Sequence, residues 1–104
     1  MSTKKKSEAV KFLEKLTGGP LTLARLLHSI RQGEEMTLAE FAKKLGISRQ
    51  HLCDIEKGRK VVSPERAARF AKILGYSQEQ FVALALQALL DEADLDLKVE
   101  VKVA

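Results

Sequence analysis

The chain has 104 residues, enough for one domain, and 45% of them are hydrophobic, enough for one compact core. Lys and Arg number 18 against 14 Asp and Glu, a formal net charge of +4 that suits a polyanionic partner. The lone Cys53 excludes an internal disulfide and a thiolate metal centre, and the apolar run from Phe81 to Leu90 is too short to span a bilayer. A cytoplasmic chain without a membrane segment is expected.

Read in order, residues 1–6 are polar and basic, with Lys4, Lys5 and Lys6 in an arm that no apolar signal core follows. Ser7 is a candidate cap for a short helix to Leu16, with Val10, Phe12, Leu13 and Leu16 on its apolar side. Thr17-Gly18-Gly19-Pro20 ends it. A second helix from about Thr22 to Gln32 carries Leu23, Leu26, Leu27 and Ile30 at the spacing of one buried stripe, and Gly33 is the expected stop.

Thr37 and Glu40 have the spacing of a capping box ahead of Leu38, Phe41, Ala42 and Leu45, and Gly46 is a natural left-handed stop. After a two-residue break Ser48 caps a helix to about Lys57, with Ser48, Leu52 and Ile55 assigned inward. Ser63-Pro64 opens the next helix, whose stripe is Ala67, Phe70, Ala71 and Leu74, closed by Gly75. Ser77 and Gln80 match a further capping box. The last helix has one apolar face of Phe81, Leu84, Ala85 and Ala88 and a second of Val82, Leu86, Leu89 and Ala93, which predicts burial on two sides.

In the tail, Leu95, Leu97, Val99, Val101 and Val103 alternate with charged residues, and this period of two predicts a strand. Paired antiparallel with a second copy and centred on Val99, it sets Lys98 against Glu100 and Leu97 against Val101. The expectation is an intermolecular ribbon, supported by Val82, Leu86 and Leu89. Addition to the sheet edge of a partner protein is the rival use.

The stretch from Thr37 to Gly58 reads as capped helix, glycine turn, capped helix, an arrangement that leaves one face of the second helix free to enter a major groove. That face carries Arg49, Gln50, Cys53, Asp54 and Lys57. Arg can hold guanine O6 and N7 with two bonds, Gln can hold adenine N6 and N7, and Asp can accept from cytosine N4.

The segment resembles the lambda-repressor and Cro-like helix-turn-helix regulators, the Xre family, over about Leu21 to Leu84. Leu38, Ala39, Phe41, Ala42, Leu45, Gly46, Ile47, Ser48, Leu52, Ile55, Glu56 and Gly58 carry the likeness. The resemblance implies an all-α, five-helix DNA-binding domain, here with an extra N-terminal helix and a C-terminal strand for dimerisation. It places Ser48, Arg49, Gln50 and Asp54 at base edges and Lys43, Lys57, Arg59 and Lys60 at phosphates. Leu38 stands where many relatives carry a polar phosphate-contacting side chain, so Thr37 is assigned that contact. Arg31 and Glu56 match positions of a buried ion pair that positions the recognition helix.

The division expected is an arm and short helix over 1–20, the helix-turn-helix domain over 21–91, and the dimerising tail over 92–104. The function expected is sequence-specific double-stranded DNA binding by a homodimeric repressor at a near-palindromic operator, associated with the nucleoid. The alternative is an antitoxin that represses its own operon and binds a toxin protein through a terminal segment. No catalytic set emerges. His51 and Cys53 are two apart on a helix and point different ways, and His28 has no acidic neighbour in sequence. With no Gly-rich phosphate loop, HExxH or CxxC, neither an enzyme nor a cofactor is expected.

Overall fold

The computed structural model describes residues 21–104. The arm and helix predicted within residues 1–20 lie outside them. Five helices follow in order: α1 (Leu23–Gly33), α2 (Leu38–Leu45), α3 (Arg49–Glu56), α4 (Pro64–Leu74) and α5 (Gln78–Glu92).

Their boundaries follow from local chemistry. Thr22, Thr37, Ser48, Ser63 and Ser77 each cap a helix, the side-chain oxygen accepting from the amide three residues on. At Thr37 the box is complete, because Glu40 also accepts from the Thr37 amide at 2.8 Å. Backbone N–H donation to Glu40 holds its carboxyl below the usual carboxylate range. The predicted stop at Gly33 falls one residue short. Gly33 is the last helical residue, Glu34 is the C-cap, and Glu35 takes the left-handed backbone at φ 54°.

The apolar stripes meet in one core. Leu23, Leu26, Leu27 and Ile30 of α1 pack with Phe41, Ala42 and Leu45 of α2 and with Leu52 and Ile55 of α3. Ala67, Phe70 and Ala71 of α4 join them, as do Phe81 and Ala85 of α5. Phe41, Phe70 and Phe81 are fully buried, and α4 packs most extensively on α5. Val62, in the connection before α4, is also buried. Ser48, assigned inward from its spacing, is instead exposed as the cap of α3.

The tail corrects the sequence expectation. The described residues contain no strand, which overturns the predicted C-terminal β-strand over Leu95, Leu97, Val99, Val101 and Val103. Asp94 turns left-handed at φ 62°, the Leu95 amide donates to Leu90 O, and the chain leaves α5 without regular structure. Alternation specifies which side chains share a face but supplies no partner for the backbone. Here Gln87 of α5 takes that role. Its Nε2 donates to Leu97 O at 2.7 Å, and its Oε1 accepts from the Val99 amide at 2.8 Å. Val99 and Val101 are half-buried, whereas Leu95, Leu97 and Val103 are exposed.

Candidate nucleic-acid interface

Gly46, Ile47 and Ser48 alone separate α2 from α3. The turn is possible because Gly46 sits at φ 77°, ψ 30°, where its amide donates to Ala42 and Lys43 carbonyls. Ile47 then donates to Ala42 O at 3.0 Å and packs partly buried on the core. Leu52 and Ile55 seal one side of α3 into that core, so its opposite side must face solvent.

On that side Arg49 and Gln50 are exposed, and Cys53 and Asp54 are half-buried. Ser48 Oγ accepts from the His51 amide at 3.0 Å, which leaves its hydroxyl hydrogen available. Arg49 forms no ion pair among the described residues. Asp54 does not stand open. Its Oδ1 accepts from Gln50 Nε2 at 3.0 Å and from Arg59 Nη1 at 3.1 Å.

Lys57 ends α3, and Gly58, at φ 76°, reverses the chain so that the amides of Arg59 and Lys60 donate to Asp54 O. Lys57, Arg59 and Lys60 are thereby held as exposed cations at the C-terminal end of α3. Lys43 is exposed on α2, while Lys44 beside it is paired with Glu34 at 3.2 Å. Thr37 is exposed at the start of α2. Val82 and Leu86 of α5 are half-buried and Leu89 is exposed.

Behind α3 lies an ionic anchor. Glu56 Oε2 accepts from Arg31 Nε at 2.9 Å and its Oε1 from Arg31 Nη2 at 3.0 Å, while Arg31 Nη1 donates to Met36 O at 3.1 Å. Side-chain exposure is 17% for Arg31 and 6% for Glu56. His28, which sequence reasoning left without an acidic partner, donates from Nδ1 to Glu56 Oε1 at 2.8 Å. Its signal was its place three residues before Arg31, on the same face of α1. Burial disfavours the Glu56 carboxylate, but donation from Arg31 and His28 outweighs it and holds the group below the usual range. The bond to Glu56 raises the Arg31 guanidinium in turn. A groove of about 410 Å³ between α1 and α3, lined in part by Arg25, Gln32, Cys53 and Lys57, brings solvent to this cluster.

On the far flank of α3, the Arg66 guanidinium of α4 lies 3.2 Å from both ring nitrogens of His51. Burial first, then the charges of Arg66 and Lys60, keep that imidazole neutral to lower pH than usual. The two histidines thus pack α3 against its neighbours. No cluster of metal-ligating residues occurs among the described residues. Nor is any helix there long and apolar enough to cross a membrane.

A model of the helix-turn-helix domain matches residues 22–84, more than half of the chain. The chain belongs to the helix-turn-helix domain family. No curated protein and no solved structure was found to match it. In this helix-turn-helix domain α2 and α3 are the paired helices, and α3 is the one such domains lay in the major groove. The exposed Lys57, Arg59 and Lys60 thus follow the second helix of that pair in a DNA-binding domain.

Proposed function

We propose that the protein is a sequence-specific double-stranded DNA-binding transcriptional regulator of the lambda-repressor and Cro-like type, acting as a homodimeric repressor at a near-palindromic operator. The observation that supports this is the placement of exposed polar and cationic side chains along α3 and the turn after it. Arg49 and Gln50 stand exposed at its start, where base edges are reached, and Lys57, Arg59 and Lys60 gather where it ends. Ser48 completes the base-facing set, and Thr37 and Lys43 extend the phosphate-facing one. The role is regulatory, not catalytic, and it is exercised in the cytoplasm at the nucleoid.

Dimerisation is assigned to the second apolar face of α5, Val82, Leu86 and Leu89, continued by the exposed Leu95 and Leu97. Leu89, Leu95 and Leu97 are exposed large apolar side chains, and a protein partner would remove them from water. Two copies joined there would present two recognition helices to successive turns of one duplex. The second reading is an antitoxin that represses its own operon and binds a toxin protein through a terminal segment, the tail or the basic N-terminal stretch.

The test is a pair of substitutions. Arg49→Ala should cost about 1–3 kcal/mol and relax selectivity at one base pair per half-site, whereas Lys60→Ala should weaken all duplexes alike. Equal losses on every sequence from both would refute this division of roles. A second protein co-purifying stoichiometrically with the tail, in place of a second copy, would favour the antitoxin reading.

A further inference from the structure

Asp54 was an obvious candidate for accepting from cytosine, yet its carboxylate has two donors already. Gln50 lies one turn before it on α3, and Gln50 Nε2 donates to Asp54 Oδ1 at 3.0 Å. Arg59, brought back by the left-handed Gly58, donates to the same oxygen at 3.1 Å. The Asp54 side chain is only 14% exposed, and its backbone carbonyl ties down the returning loop through Arg59 N at 2.8 Å. A bare carboxylate facing DNA would repel phosphate. This one is paired with Arg59 and hydrogen-bonded to Gln50.

Resting on the DNA-reading function proposed above, we infer that Asp54 is a positioning residue that sets Gln50 to read adenine and to reject guanine. A carboxylate only accepts, so it fixes which end of the Gln50 amide turns towards it. One N–H is thereby spent. Gln50 keeps one N–H and the Oε1 acceptor, the pattern that matches adenine N7 and N6–H. Guanine presents two acceptors, O6 and N7, in the same groove. A freely turning Gln can offer both of its N–H groups to them; Gln50 held by Asp54 has one left. The network therefore removes a wrong pairing and also spares Gln50 the entropy of ordering on the DNA. Arg59, held beside Asp54, has its remaining donors for a phosphate.

The experiment selects duplexes from a random library with the full-length protein and with Gln50→Ala, Asp54→Ala and Asp54→Asn, checking helical content of each by circular dichroism. The wild type should select an A·T pair at one position of each half-site, and Gln50→Ala should lose that position alone. Asp54→Ala should lower discrimination of A over G there by about tenfold. Asp54→Asn should retain it, because two facing donors keep the Asn oxygen turned towards Gln50. Uniform weakening on all duplexes in Asp54→Ala, with the A preference intact, would overturn the positioning role and leave the DNA-reading function standing. So would a Gln50-dependent position that is not A·T. Absence of any consensus for the wild type would remove the DNA-reading function, and this inference with it.

Discussion

Removing the Glu56 carboxylate strips the Arg31 guanidinium of its two bonds at 2.9 and 3.0 Å and leaves it beside the Met36 carbonyl. Breaking a buried pair from one side costs about 3–5 kcal/mol, since the surviving charge stays desolvated. Arg31 keeps 17% of its side chain exposed and lines a solvent groove, which places Glu56→Ala near the low end, about 3 kcal/mol. At 4–8 °C per kcal/mol for a domain of this size, the thermal midpoint should fall by about 12–24 °C. Far-UV circular dichroism without DNA measures it. The Arg31→Ala and double variants complete a cycle in which the two losses should not add. A loss below about 1 kcal/mol, with additive effects, would refute the anchor as a source of stability. Acid offers a second reading of the same group. The folded pKa of Glu56 is depressed, so its contribution is whole above the unfolded value of about 4.3 and is lost as pH falls further, through the folded value. The stability gap between wild type and Glu56→Gln should thus narrow below about pH 4.

Other consequences follow from single residues. Gly46→Ala should destabilise by about 1–2 kcal/mol in chemical denaturation. No atom lies within 4 Å of an added Cβ, so the cost there is that of the left-handed backbone alone. A neutral outcome would mean that the α2–α3 turn can re-form without a left-handed stop. Gln87→Ala should free the tail. Hydrogen exchange at the Val99 amide and proteolysis after Lys98 should both speed up, while the midpoint of the helical core moves by no more than about 0.5 kcal/mol. Unchanged exchange at Val99 would show that Gln87 does not hold the tail.

The helical core was legible because each stripe is bracketed by its own punctuation. Leu38, Phe41, Ala42 and Leu45 repeat at helical spacing between Thr37 and Gly46, and cap, stripe and stop all agree. Val62 escaped notice because a single buried residue in a connection has no period. Ser48 was misplaced because the helical stripe extends one step too far if the cap is counted within it. The tail misled for a different reason. Its alternation is genuine, but a strand needs a neighbour, and no sequence pattern announces that one Gln side chain on α5 will satisfy the backbone at Leu97 and Val99. The interface was legible as a set of residue types on one helix face. Its internal bonds were not, because the Asp54 to Arg59 contact depends on how Gly58 turns the chain, and His28 meets Glu56 only through tertiary packing.

The most direct test of the account is the affinity of the protein for duplexes selected from a random library, followed as salt is raised. A near-palindromic consensus, with log affinity falling against log salt at a slope of about −7, is the predicted result, since Lys43, Lys57, Arg59 and Lys60 of each of two copies would displace counterions. A flat salt dependence with no consensus would contradict it.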